Sequence, residues 1–168
     1  ISVTGSSGAG TSTIRHTFEQ IFRREKVTAA TIQGDAFHSF TREEMKRELE
    51  KRAQARDGTF SHFSYEANDL KRLEALFQTY GETGKGQMRH YVHDQAEAAK
   101  YGASPGNFTD WRDFEPNTDL LLYEGLHGAV VNDKVNIAQH ADLRIGIVPV
   151  INLEWVQKIH RDKASRGY

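Results

Sequence analysis

Ile1-Ser2-Val3-Thr4-Gly5-Ser6-Ser7-Gly8-Ala9-Gly10-Thr11-Ser12-Thr13 opens the chain, and its reading decides the fold. A short apolar run ends at Gly5, glycines and small hydroxyl residues follow, and a helical pattern begins at Ile14: the order is strand, glycine loop, helix. Glycine lets successive N–H groups turn inward without a Cβ in the way, and a helix N-terminus behind them adds partial positive charge, so a phosphate can rest on bare backbone. The spacing Gly5-x4-Gly10-x-Ser12 fits the phosphate-loop formula GxxxxGK[ST] with one departure, Thr11 in the lysine position. A neutral hydroxyl cannot bridge the outer phosphates. Either another cation swings in, or the stretch is an ordinary Gly/Ser turn; Ser12 remains available for Mg²⁺.

Outward from the loop, Ile14, Phe18, Ile21 and Phe22 recur at helical spacing as far as Arg24, so the first helix lays one face on a sheet. Residues 27–33 are β-branched and small, and predict a second strand ending at Gly34-Asp35-Ala36-Phe37-His38. Asp35 therefore stands at a strand's carboxyl edge, where open α/β sheets bind ligands and where an Asp also commonly caps the next turn. Thr41-Arg42-Glu43-Glu44 has the form of a capping box for a helix to about Arg56. Arg42 and Lys46, four apart on that helix, fit either a solvated face or, with His38, the grip on an anionic substrate.

The stretch Thr59–Asp69 is too aromatic and too broken for an ordinary surface loop and is expected to pack over the site. A helix over 70–80 leads, past three glycines, to a strand at 88–94 whose alternation puts Arg89, Tyr91 and His93 on one side, able to hydrogen-bond a sugar or phosphate. Asp119–Gly125 reads as a buried parallel strand that delivers Glu124 beside the loop, where it can hold Mg²⁺ directly or through water. Residues 142–151 supply another strand. The closing helix carries Lys158, Arg161, Asp162 and Arg166, either solvated or a lid that brings replacement charge to the transferred group.

The whole chain, 168 residues with 38% hydrophobic, 27% charged and three prolines, suits one α/β domain: a three-layer sandwich of the P-loop NTPase type, with a mainly parallel sheet between helices. We read residues 1–168 as that single domain, lacking its first residues and part of its C-terminal fold. A net charge of −1 gives no general field for nucleic acid or anionic membrane, so neither is expected as a partner. With no cysteine there are no disulfides, thiolate metal sites or thiol switches, which with the lack of a leader or transmembrane run points to the cytoplasm.

Several stretches together, GSSGAGTST, GDAFH, FSHFSYEAND, GNFTDW, YEGLHG and the terminal NLEWVQKIHRDKASRGY, resemble the phosphoribulokinase/uridine kinase family of P-loop kinases, and within it the bacterial phosphoribulokinases. Uridine kinases share the Asp-x-Phe strand end and an RDxxxRG lid; the connecting motifs and Thr11 favour the phosphoribulokinases. The resemblance implies Mg²⁺-dependent transfer of phosphoryl from ATP to ribulose 5-phosphate in carbon fixation, with nucleotide phosphates on Gly5 to Thr13. It makes Asp35 the base, Glu124 and Ser12 the metal ligands, and His38, Arg42, Lys46, Arg89, Tyr91 and His93 the sugar-phosphate side. Lys158, Arg161, Asp162 and Arg166 become the lid, with Asp162 either binding metal or orienting the arginines. It also implies a homo-oligomer activated by NADH and inhibited by AMP. A uridine or other small-molecule kinase is the alternative on the same scaffold, and a non-catalytic nucleotide sensor is a third, prompted by Thr11.

Overall fold

The structure, a computed structural model, describes residues 1–55, 58–161 and 163, with side chains except those of Ile151, Leu153, Glu154 and Arg161. Strand β1 (Ser2–Gly5) leads through the glycine loop into helix α1 (Thr11–Glu25). Strand β2 (Ala29–Gln33) runs into a 3₁₀ turn, Gly34–Phe37. Helices α2 (Arg42–Gln54) and α3 (Leu70–Thr83) follow. Two-residue strands β3 (Gln87–Met88) and β4 (Arg112–Asp113) pair antiparallel around helix α4 (Gln95–Tyr101). Strand β5 (Leu120–Gly125), strand β6 (Arg144–Ile147) and helix α5 (Ile151–Arg161) complete the order.

The central sheet is β2-β5-β1-β6, every pair parallel. Parallel strands must bury both faces, and the side-chain alternation supplies a core for each. Val3 and Leu122 point to one face, where Phe22, Ile14 and Phe18 of α1 cover them. Ile32, Leu121 and Tyr123 point to the other, against Leu73 and Phe77 of α3 and Ile137. These are the three layers expected. Each fully buried Leu, Ile or Phe contributes roughly 1.5–3 kcal/mol relative to exposure, so the two clusters, more than helix propensity, hold α1 and α3 in place. Among the described residues no helix is long and apolar enough to cross a membrane.

The capping box forms: Thr41 accepts from the Glu44 amide while the Glu44 carboxylate accepts from the Thr41 amide. The strand expected over 88–94 does not. β3 stops at Met88, and the chain then crosses segment 106–109 irregularly, with the Val92 amide donating to the Asn107 carbonyl and the Gly106 amide to that of Val92. Val92 is fully buried there, and His90 swings out of any alternation to stack on Tyr101 with ring centroids 3.9 Å apart. Side-chain packing, rather than a ladder, fixes the direction of each residue in this stretch.

Candidate active site

One end of the site is the loop between β1 and α1. An added Cβ at Gly5 would lie 2.8 Å from the Ile147 carbonyl oxygen, so the close approach of β6 demands glycine there. Gly8 and Gly10 have φ of 95° and 97°, and Gly10 serves as N-cap of α1 with no side chain to satisfy the first-turn amides. A Cβ at Gly10 would meet no protein atom within 4 Å, so what keeps glycine there is backbone conformation and the space in front of the helix. The result is a concave run of amides at a helix N-terminus, suited to a phosphate chain.

Behind the loop lies Glu124, 8% exposed, on the strand next to β1. Its Oε1 accepts from the Thr11 hydroxyl at 2.5 Å and from Ser12 at 3.3 Å, and Oε2 lies 3.7 Å from Nε of Arg15. Thr11 thus turns inward to hold the acid instead of reaching out to phosphate. Arg15, whose other end pairs with Glu19 at 3.0 Å, puts its charge one helical turn behind the loop. Ser12 and Glu124 fit a Mg²⁺ ion: a hydroxyl and a carboxylate converge at the mouth of the amide cradle. Among the described residues no three His, Asp or Glu side chains gather as a metal cage, so an ion held here would depend on nucleotide oxygens for the rest of its shell.

The other end is built around Asp35, the second residue of the turn after β2; Gln33 of β2 pairs with Glu124, which puts the two acids on adjacent strand ends. Asp35 Oδ1 lies 3.3 Å from His38 Nε2 and Oδ2 lies 3.0 Å from His93 Nε2. Desolvation works to raise the carboxyl, but the two imidazole hydrogen bonds and their charge outweigh it, holding Asp35 well below the usual carboxylate range although its side chain remains 45% exposed. For His38, desolvation opposes charge, and the bond to Asp35 prevails to raise the imidazole above its ordinary value. Tyr91 packs edge-on against both His38 and His93.

Arg42, exposed at the first position of α2, reaches the His93 carbonyl with Nη2 at 2.8 Å, and Lys46 follows one turn later. Arg89 shares Phe108 and His38 with Tyr91, and its guanidinium is turned onto backbone carbonyls. Its Nε donates to the Ala36 carbonyl at 2.7 Å and Nη2 to that of His38 at 2.9 Å, while the guanidinium lies 3.6 Å over Phe108 and 4.7 Å over Trp111. Desolvation and the nearby Arg72 lower it to about 10. Arg89 therefore braces the turn that carries Asp35. The Thr59–Asp69 stretch packs over this end, as Asn68 bonds His38 and His127 bonds the Phe63 backbone.

Lys158 and Arg161 lie on α5; Asp162, Arg166 and the side chain of Arg161 fall outside the described residues. Among the described residues the partners of Asp35 and Glu124 come from His38, His93, Thr11, Ser12 and Arg15, with none from α5. Two contributors escaped the sequence reading, Arg15 and Asn68. Arg15 carries a legible signal, since it lies four residues after Thr11 on the helix face that must look at β5. Asn68 carries none, because its role depends on a fold-back of thirty residues.

The family model of the phosphoribulokinase / uridine kinase family matches residues 1–168. Over all 168 residues the chain is 71% identical to phosphoribulokinase 1 of Cereibacter sphaeroides and 62% identical to the phosphoribulokinase of Rhizobium meliloti (strain 1021), spanning 58% and 57% of their lengths. A solved phosphoribulokinase from Rhodobacter spheroides superposes with a TM-score of 0.85 at 65% identity, over 99% of this chain and 57% of that one. A possible uridine kinase from Bacillus stearothermophilus, 13% identical with a TM-score of 0.58 over 98% of this chain and 81% of its own, shares the fold. With its P-loop, parallel sheet and paired strand-end acids, the chain belongs to the phosphoribulokinase / uridine kinase family.

Proposed function

We propose that the protein transfers phosphoryl from ATP to ribulose 5-phosphate, giving ribulose 1,5-bisphosphate for carbon fixation. The observation that carries this reading is the pairing of Asp35 with two imidazoles, with Arg42 on the His93 carbonyl and Lys46 one helical turn beyond it, one strand from the Glu124 and Ser12 pair. An acceptor already bearing a phosphate needs fixed cations away from its reacting hydroxyl, and these side chains supply them. The high identity to named phosphoribulokinases supports the same substrate.

In this reading the loop amides hold the nucleotide's phosphates, and Ser12 and Glu124 hold Mg²⁺, whose charge offsets that of the phosphates. Asp35 orients the sugar hydroxyl and takes its proton as the new bond forms; a weakly basic carboxylate suffices because phosphoryl transfer asks little of the base until late. The role of a lid bringing charge to the transferred group is assigned in the same reading to Lys158, Arg161 and Arg166, with Asp162 either binding metal or orienting the arginines. A homo-oligomer responsive to NADH and AMP belongs to the same proposal. A coupled assay on the intact protein, with ribulose 5-phosphate and uridine in parallel, tests it: turnover with the sugar phosphate alone is expected, and turnover with uridine alone would replace it with the nucleoside reading.

Arg42→Ala is expected to raise KM for ribulose 5-phosphate by roughly one to two decades, since loss of a charge-assisted bond costs about 1.5–3 kcal/mol. KM for ATP should hardly move in the same steady-state assay. Equal losses for both substrates would assign Arg42 to the fold, through its contact with the His93 carbonyl.

A further inference from the structure

Asn68 is 3% exposed, and every polar atom of its side chain is engaged. Its Nδ2 donates to the His62 and Ser64 carbonyls, both at 2.9 Å, and its Oδ1 lies 2.9 Å from His38 Nδ1. Carbonyl oxygens only accept, so the amide cannot flip: its nitrogen must face them and its oxygen must face the imidazole. An amide oxygen also only accepts, so His38 Nδ1 must carry a proton. A neutral His38 would then have its lone pair on Nε2, pointed at the Asp35 carboxylate 3.3 Å away. Two acceptors facing one another repel, and a proton on Nε2 removes the conflict.

We infer that Asn68 is a positioning residue for the transfer step: by accepting from Nδ1 it fixes a proton there, so that the ionised Asp35 draws a second proton to Nε2 and His38 keeps its positive charge to higher pH than a free imidazole would. The inference rests on the reading of Asp35 and His38 as the acceptor end. It makes His38 a fixed cation at a place where an incoming sugar phosphate needs one. The raised imidazole and the depressed carboxyl agree with this coupling. Other groups modulate it. His93 faces Asp35 from the opposite side, Arg89 grips the His38 carbonyl and opposes its charge, and His62 and His127 feel that charge from the covering loop and the segment after β5. Because a raised imidazole loses its charge as pH rises through its folded-state value, kcat/KM for ribulose 5-phosphate should fall on the alkaline side through His38, while Asp35 stays ionised throughout the neutral range.

The test has two arms. In the unaltered protein labelled with ¹⁵N-histidine, with His38 assigned through His38→Gln, titration to the alkaline end should leave a neutral ring protonated on Nδ1, opposite to the preference of free imidazole. A neutral ring protonated on Nε2 would overturn the inference whatever the kinetics show. In Asn68→Leu the neutral ring should change to the Nε2–H form, and the alkaline limb of kcat/KM for the sugar phosphate should move to lower pH. The expected loss is about fivefold at about pH 8, with little at about pH 6 and KM for ATP unchanged. A loss equal at both pH values would assign Asn68 only to anchoring the loop. The ring protonation does not depend on Asp35 being the base, so it is read separately from the proposed activity: an active Asp35→Asn enzyme would sink the base and leave the tautomer result standing.

Discussion

Asp35→Asn is expected to lower kcat at least about a hundredfold at saturating ribulose 5-phosphate, with ATP affinity close to that of the parent and no rescue by added Mg²⁺. The substitution keeps the size of the side chain and one acceptor for the imidazoles while removing the carboxylate proposed to receive the proton. General-base contributions run to ~10²–10⁴ in rate, and misplacing the attacking hydroxyl adds to the loss. Glu124 offers the internal control. It touches Ser12 and Thr11 rather than the histidines, so its removal should weaken the Mg²⁺ site and respond to extra Mg²⁺. Steady-state kcat with calorimetric ATP binding checks both; a kcat for Asp35→Asn within about tenfold of the parent takes the base role away from this residue.

Gly10→Val should abolish measurable ATP binding by calorimetry. At φ of 97° a β-branched residue is strained, and relaxing it turns the loop amides away from their common focus. The strain alone is worth roughly 1–2 kcal/mol. The larger effect comes from what fills the space: no protein atom lies within 4 Å of the added Cβ, so the isopropyl group would project where the phosphates are cradled. Binding as tight as in the parent would refute the phosphate-loop assignment outright.

The glycine loop is legible in the sequence because it is local. Gly5, Gly10 and Ser12 sit within eight residues and depend only on backbone and on the helix that follows, and the strand carrying Glu124 announces itself by an unbroken apolar run. The proposed acceptor end is assembled from 34–46, 59–69, 89–94 and 106–111, and pattern alone gives a strand over 88–94 where the chain runs irregularly after Met88. Alternation groups Arg89 with Tyr91 and His93, and the three do gather around His38 and Phe108; that Arg89 also braces the Asp35 turn through two backbone carbonyls depends on contacts 53 and 51 residues away. Thr11, likewise, is defined by a contact 113 residues away, which no spacing near the loop could show.

The glycines at the ends of β2 and β5 set a limit of another kind. A methyl group on Gly34 would fall 2.6 Å from the Tyr123 hydroxyl, and one on Gly125 would fall 2.8 Å from the Gly34 Cα and 2.7 Å from the same hydroxyl of the wholly buried Tyr123. Asp35 and Glu124 each adjoin one of these glycines, so the spacing of the two acids is tied to a close backbone approach that a side chain at either glycine would force apart. If the proposed acceptor role of Asp35 holds, retargeting the protein to a longer or shorter acceptor would have to leave that spacing alone and recut the stretches around Arg42 and His93.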